Sequence, residues 1–390
     1  MTSSSRNTPA NRFTSLLLSW MNQLGPVLGL ACVWVFFAVV EHRTAQASGL
    51  QPSFMSWHNQ LLILLQTAVV GTAAIGATLI IISGGIDLSV GSTIALVTMV
   101  VAWLLRIGMP APFAAFGGIY AGVICGLIIG SAVIGHLGRC AAIAAGVVLG
   151  AWAFWLGAGV IGTIVIIAVV SFVLFQLDRR FIPNVKLAPF IVTLGMWGVL
   201  RGVAKGFGNS QPIYPGSDSW LSNLMHDTPF GMKGLPVYGV WLLLIVAGLA
   251  VLVLKFTRFG RHVYAVGSNE QTARLCGVHI SRTKMMIYGI GIGCAGLAGL
   301  LQFSFLQMGD PSTAEGYELK VIAAVVIGGA SLAGGEGSII GTLVGALIMS
   351  VIDSGCGALH LDNWIQEVVT GIIIVLAVAI DRLRRRRIEP

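Results

Sequence analysis

The sequence predicts an all-α polytopic membrane protein with about twelve transmembrane helices. Of its 390 residues, 56% are hydrophobic and 10% are charged, and the mean hydropathy is +0.89. Soluble domains carry about 25% charged residues, so this composition excludes an ordinary soluble domain. Apolar runs recur along the whole chain, and because a spanning helix needs about 20 mostly apolar residues, they leave no room for a separate soluble domain.

The predicted helices follow the apolar runs, and segments rich in glycine, proline or charge end them. In chain order the runs cover residues 25–40, 59–82, 93–105, 113–134, 141–156, 160–175, 188–203, 241–254, 285–305, 321–327, 339–352 and 365–380. The run at 321–327 is too short to span a membrane alone. The segment at 206–235 is rich in glycine, proline and aromatic residues, which predicts an external loop with aromatic anchors at the membrane interface.

Basic residues indicate which ends of these helices face the cytoplasm. Lys and Arg lie mainly at the ends of apolar runs, and this topological pattern, rather than nucleic acid binding, accounts for the net charge of +8. It predicts a cytoplasmic tail at residues 1–23, a transmembrane domain at residues 24–382 and a basic cytoplasmic tail at residues 383–390. The loop at residues 255–284 is also expected to be cytoplasmic, because six basic residues there accompany the single acid Glu270.

No sequence pattern indicates catalysis or metal binding. The six cysteines form no C-x-x-C pair, and the seven histidines form no H-E-x-x-H motif. We therefore expect no catalytic residue, no metal site and no cofactor bound by this chain. The chain also has no G-x-x-x-x-G-K-S/T phosphate loop, so we do not expect it to hydrolyse ATP itself.

The segment at residues 83–92, SGGIDLSVGS, separates two apolar runs and holds the only carboxylate between Glu41 and Asp178. Lipid supplies no hydrogen-bond partners, so broken polar backbone beside membrane helices is tolerated only where protein or a water-filled path surrounds it. We therefore predict a gate in a substrate path. The candidate gate residues are Gly84, Gly85, Asp87, Ser89, Gly91 and Ser92. Two roles stay open for Asp87: it caps the next helix together with the two serines, or it lines the lower end of the gate.

A second glycine-rich break, GGASLAGGEGS at residues 328–338, resembles the first. Both open with Gly-Gly and end with Gly-Ser, and this similarity favours two related halves whose breaks lie around a shared path. The second break is two residues longer between those marks, so the repeat is weak. Its candidate gate residues are Gly328, Gly329, Ser331, Gly334 and Gly335, with Glu336 and Ser338 as candidate caps of the following helix.

The first break also resembles the signature of permease subunits of bacterial ATP-binding-cassette sugar importers of the ribose, xylose and arabinose class. Further similar segments follow in the same order: PFIVTLG at 189–195, GSNEQTARLCGV at 267–278, GYEL at 316–319 and residues 322–337. The resemblance covers most of the chain after about Gln60. It implies a multi-pass protein of the bacterial inner membrane that moves a monosaccharide of the pentose or hexose class.

The same resemblance implies several partners. Separate cytoplasmic ATPase subunits would bind ATP and Mg²⁺, a periplasmic sugar-binding protein would deliver the substrate, and a second permease copy would complete a homodimer or heterodimer. The segment at residues 269–277 resembles the element that couples such permeases to the ATPase. Its candidate coupling residues are Asn269, Glu270, Ala273, Arg274 and Gly277. A solvated amphipathic turn is the alternative interpretation of this segment.

Two external segments are candidates for docking the sugar-binding protein. The proposed docking residues are Gln211, Tyr214, Glu315, Tyr317 and Glu318. For Tyr214 we favour the alternative interpretation, an anchor at the membrane interface.

The chain departs from the family pattern at two places. Lys320 stands where the family typically has Asp after Tyr-Glu-Leu, which reverses a charge near the predicted docking face. Residues 140–177 supply two further apolar runs, predicted to form an inserted helical hairpin that raises the helix number from about ten to about twelve. The added pair keeps the loop at 255–284 in the cytoplasm.

Two other functions are compatible with parts of the sequence, and a third is not. An ion-coupled secondary transporter would need carboxylates inside its helices, for which Asp87 and Asp353 are the candidates. An importer of the same kind for a polyol, a nucleoside or an autoinducer would share all the motifs. An intramembrane enzyme has no support, since no paired acids, nucleophile motif or metal cluster is present.

Overall fold

The computed structural model describes residues 9–49, 51–135, 187–216, 219–229 and 235–386, with isolated positions between 146 and 173. Its helices, in chain order, are α1 (Pro9–Ser48), α2 (Trp57–Ile82), α3 (Val90–Arg106), α4 (Ala111–Ile134), α5 (Pro189–Phe207), α6 (Tyr238–Phe256), α7 (Arg258–Ser268), α8 (Glu270–Leu275), α9 (Ile280–Leu306), α10 (Tyr317–Ile327), α11 (Ile339–Ala358) and α12 (Asn363–Arg386). Within these ranges the only β pairing is an isolated bridge between Ile213 and Gly309.

Seven helices in the described part of the chain are long and apolar enough to cross a membrane, and shorter apolar helices accompany them. The predicted all-α polytopic fold is therefore confirmed. The predicted hairpin at residues 140–177 lies almost wholly outside the described residues, so the number of about twelve crossings stays a prediction. Helix α10 has 11 residues and corresponds to the run that was expected to be too short to span.

The first helix begins earlier than the sequence indicated. Helix α1 starts at Pro9, although its apolar span begins only at Gly25, next to the predicted domain boundary at residue 24. A search for apolar runs misses the first part because polar and apolar residues alternate irregularly there. The segment predicted as a tail therefore continues into the transmembrane helix without a break.

The chain divides into two compact units. The first comprises residues 1–84, 222–268 and 316–390, and the second comprises residues 85–221 and 269–315. In the first unit α2 is the central helix: it is almost wholly buried and packs against α6, α7, α10 and α11. A helix that is apolar on all sides is expected in such a position. Helix α1 packs on α11, and few side chains of its apolar span Gly25–Ser48 are buried.

In the second unit the closest packing joins α4 to α9, and α3 packs on both and on α5. A Cβ atom built on Gly122 would lie 2.7 Å from the Cα of Gly296, and one built on Gly126 would lie 2.4 Å from the carbonyl oxygen of Tyr288. The two backbones therefore touch directly, as small residues permit in membrane helices.

The loop after α9 is fixed to the same unit by polar contacts. The guanidinium of Arg201 in α5 is buried and donates hydrogen bonds to the carbonyls of Pro311 and Thr313, at 3.0 and 2.7 Å. The bridge between Ile213 and Gly309 adds two backbone hydrogen bonds of 2.8 Å each. These contacts hold the loop between α9 and α10 against α5 and the segment that follows it.

Candidate functional site

The first glycine-rich break is a seven-residue interruption between the end of α2 at Ile82 and the start of α3 at Val90. Asp87 is only 3% exposed, and its Oδ1 accepts hydrogen bonds from the backbone N–H and the hydroxyl of Ser89, at 2.8 and 2.6 Å. Thr193 of α5 donates to the carbonyl of Ile86 at 3.2 Å. The break is therefore an ordered turn, stabilised by hydrogen bonds to its own carboxylate and from a neighbouring helix.

The capping role predicted for this segment needs a correction. Ser89 precedes α3, but its side chain makes no capping hydrogen bond to the helix. Asp87 bonds to Ser89 instead of to the first turn, and the hydroxyl of Ser92 is buried without a hydrogen-bond partner among the described residues. The carboxylate closes the turn before the helix, because an Asp side chain readily accepts a hydrogen bond from the backbone N–H two residues further along the chain.

The second break, in the first unit, connects α10 to α11. The backbone N–H of Ser331 donates to the carbonyl of Glu336 at 3.1 Å, and the N–H of Gly334 donates to the carbonyl of Ser331 at 3.0 Å. Ser338, one of the two predicted caps, accepts a hydrogen bond from the N–H of Gly341 at 3.4 Å. This break is also a compact, internally bonded turn.

Helix α7 meets the second break at a contact that sequence reasoning missed. The N–H of Gly335 donates to the carbonyl of Ile82 at 2.8 Å, and the hydroxyl of Tyr264 donates to the carbonyl of Gly337 at 2.9 Å. Gly267 lies against the same Ile82 carbonyl. We call these five residues the α7 junction. The only signal in the sequence was the position of Gly267 at the start of a family-like segment, and that signal says nothing about its neighbours.

The predicted coupling segment contains a short capped helix, α8. The side chain of Asn269 accepts a hydrogen bond from the N–H of Thr272 at 2.9 Å, which satisfies one free amide of the first turn. Glu270 lies 2.6 Å from the ammonium of Lys284 and 3.6 Å from the guanidinium of Arg274. The pair with Lys284 ties α8 to α9, because those residues lie 14 positions apart.

The residues of α8 face in different directions. Ala273 is buried, whereas the side chain of Arg274 is 62% exposed and Leu275 is 88% exposed. Gly277 follows with a φ of +83° and ends the segment. A cavity of about 150 Å³ lies beside α8, between it, the end of α4 and the first turns of α5 and α9. Glu270 and Arg274 thus form a partly exposed ion pair, whereas Ala273 is turned inward.

The candidate docking residues are described separately for each unit. In the second unit Gln211, Tyr214 and Glu315 are all exposed. In the first unit Tyr317 is partly exposed, but the side chain of Glu318 points inward and is only 6% exposed, although the next residue, Leu319, is 50% exposed. Glu318 therefore presents no surface to a docking protein in this structure.

Lys320 does not stand free at an outer face, as the sequence alone suggested. Its ammonium lies 2.7 Å from Oδ2 of Asp353 in α11, with side-chain exposures of 23% and 15%. It also lies 5.5 Å from the centre of the Tyr317 ring. The positive charge is therefore used within the first unit, as a link between α10 and α11.

Comparison with known proteins identifies the family to which this chain belongs. Residues 59–378 match the family described as branched-chain amino acid transport system / permease component. The ribose import permease protein of Escherichia coli is 34% identical, over 87% of this chain and 91% of its own length. The ribose import permease protein of Bacillus subtilis is 33% identical, over 93% of each chain. The fructose import permease protein of Rhizobium meliloti is 31% identical, over 85% of this chain and 80% of its own.

None of the solved structures matches this chain. The family match nevertheless covers most of the sequence and includes both glycine-rich breaks, the α7 junction and α8. The chain is therefore a multi-pass membrane permease that belongs to the branched-chain amino acid transport system / permease component family.

Proposed function

We propose that this chain forms the membrane path of an ATP-driven importer for a monosaccharide of the pentose or hexose class. The observation that carries the proposal is the similarity, over most of both chains, to ribose and fructose import permeases. The family description names amino acid transport, but the relatives named for a substrate here act on sugars. The importer lies in the bacterial inner membrane. Both termini of this chain are in the cytoplasm, as its basic ends favour.

The energy comes from separate ATPase subunits, which bind ATP and Mg²⁺. A periplasmic sugar-binding protein supplies the substrate and contacts Gln211, Tyr214, Glu315 and Tyr317. A second permease copy completes the path, and lipid surrounds the exposed apolar side chains of the spanning helices. This chain contributes no catalytic residue and no bound cofactor of its own.

Helix α8 is the proposed docking element for the ATPase. Leu275 is the most exposed large apolar side chain in the described residues, and it lies in a loop expected to face water instead of lipid. Burial of such a side chain on a partner contributes about 2 kcal/mol. The neighbouring Arg274 supplies a charge that an acidic groove recognises.

The path opens and closes by alternating access. Closure of the ATPase subunits displaces α8, and the ion pair between Glu270 and Lys284 carries that displacement into α9. The cavity beside α8 gives the helix room to shift without a clash. Helices next to the two glycine-rich breaks then move to expose the path to one side of the membrane.

Ion coupling is less well supported than ATP coupling. The two candidate intramembrane carboxylates are both engaged, Asp87 with Ser89 and Asp353 with Lys320. A carboxylate that binds a coupling ion must exchange its partners during each cycle, whereas these two hold structural turns and helices in place.

The test is uptake by proteoliposomes that contain the permease, its ATPase and its binding protein, with ATP on the ATPase side. Radiolabelled ribose, fructose, xylose and arabinose serve as substrates. We expect uptake of at least one sugar that vanadate abolishes and a protonophore leaves intact. Uptake driven by a proton or sodium gradient without ATP would contradict the proposal.

The role of α8 is tested by Arg274→Glu, with Arg282→Glu as a matched control, because both arginines are exposed in the same loop but only the first lies in α8. We expect co-purification of the ATPase to fall about tenfold for Arg274→Glu and to stay unchanged for the control. Equal co-purification of both variants would exclude α8 as the docking element.

A further inference from the structure

Three chain segments meet at the α7 junction through backbone atoms instead of side chains. A Cβ atom built on Gly267 would lie 1.7 Å from the carbonyl oxygen of Ile82, where any side chain forces the helices apart. Gly334 and Gly335 adopt φ values of +85° and +81°, which suit glycine. A Cβ on Gly334 would lie 2.8 Å from the carbonyl oxygen of Gly267. The end of α7, the end of α2 and the second break are thus in direct contact.

Tyr264 adds a hydrogen bond to this contact. Tyr264 lies three residues before Gly267 on the same helix, and its hydroxyl donates a hydrogen bond to the carbonyl of Gly337 at 2.9 Å. Burial raises the pKa of Tyr264, so the hydroxyl keeps its proton, and remains a donor, across the physiological pH range. Helix α7 buries Gly260, Val263 and Val266 on this side, and it packs on α2 and α6.

Backbone contacts transmit displacement better than contacts between long side chains do. A side chain takes up a small shift by changing rotamer, but two peptide groups in contact have no such freedom. The chain runs from Ser268, the last residue of α7, directly into Asn269, the cap of α8. A pull on α8 therefore acts on α7 through the covalent chain.

We propose that Tyr264 and Gly267 are positioning residues that transmit movement of the ATPase-docking loop to the second glycine-rich break and to the end of α2. The proposal rests on the proposed function, since it requires an ATPase that moves α8. In this proposal the two glycine-rich breaks have different roles, because the second break moves directly with the docking loop, through α7.

The test separates transmission from simple stability. Tyr264→Phe removes one hydrogen bond and keeps the ring, and Gly267→Ala adds one methyl group at the closest contact. The matched control is Gly248→Ala in α6 of the same unit, where an added Cβ meets nothing within 4 Å. In reconstituted complexes we expect ATPase recruitment and ATP hydrolysis to stay within about twofold of the wild type for all three variants. Sugar molecules imported per ATP should fall about fivefold for the two junction variants only.

A second measurement does not depend on the sugar or on the yield of Gly267→Ala. Amide hydrogen exchange of residues 331–337 is compared before and after the ATPase is added. In the wild type and in Gly248→Ala we expect exchange there to change, and in Tyr264→Phe we expect most of that change to be lost. Equal transport per ATP and equal exchange in Tyr264→Phe and the wild type would overturn the proposal. A wild-type complex that imports no sugar with ATP, but still shows the exchange response, would instead overturn the proposed function.

Discussion

The ion pair between Lys320 and Asp353 gives the most direct quantitative prediction. The two charged atoms are 2.7 Å apart, and the side chains are 23% and 15% exposed. At an effective dielectric constant of about 20, Coulomb attraction at this distance is about 6 kcal/mol, but most of it offsets the loss of hydration. Removal of one partner leaves the other charge largely buried. We expect Lys320→Met to lower the free energy of unfolding by about 2–3 kcal/mol, somewhat less than for a fully buried pair.

A double-mutant cycle tests this value. The cycle compares the wild type, Lys320→Met, Asp353→Leu and the double variant, each unfolded by SDS titration of the purified protein. The double variant should recover most of the stability, since two apolar side chains fill the same space without an unpaired charge. The exchanged pair, Lys320→Asp with Asp353→Lys, should retain at least part of the coupling.

Two results would refute this reasoning. If both single variants unfold within about 0.5 kcal/mol of the wild type, the pair contributes no more than an ordinary surface pair. If the double variant loses as much stability as the two single variants combined, the two charges do not stabilise each other and the link between α10 and α11 is excluded.

Three further predictions, the last with a matched control at Gly195, concern the second unit. Asn269→Ala should lower the free energy of unfolding of α8 by about 1 kcal/mol and reduce ATPase co-purification, whereas Asn269→Asp keeps the cap and should retain both. Arg201→Met leaves two loop carbonyls without their donor and should lower the free energy of unfolding of the purified protein by about 2–3 kcal/mol in the same SDS titration. Gly126→Ala should cost about 1–3 kcal/mol in that assay because its methyl group meets the backbone of α9. Gly195→Ala, which meets nothing within 4 Å, should be neutral or stabilise by up to about 1 kcal/mol.

Local features of the chain were predictable from the sequence because they depend on neighbouring residues. The break around Asp87 follows from glycines beside a lone carboxylate, and the start of α8 follows from Asn269. The length of α10 follows from its short apolar run. Each of these predictions needs only periodicity, capping or turn chemistry.

Features that depend on distant residues were not predictable. Lys320 finds Asp353, which is 33 positions away, and a lone sequence does not reveal that partner. The buried position of Glu318 depends on how α10 packs, and the importance of Gly267 depends on which carbonyl lies beside it. Periodicity says which residues face inward, but it does not say what they meet there.

The contact between α4 and α9 has a consequence for how the protein moves. One residue of sliding along a helix is 1.5 Å, and it would carry Gly122 and Gly126 away from the backbone positions that only glycine fits. Larger side chains would then take their places, so relative sliding is sterically blocked. The two helices therefore move together as one rigid body. The conformational changes of a transport cycle must take place at other parts of the chain.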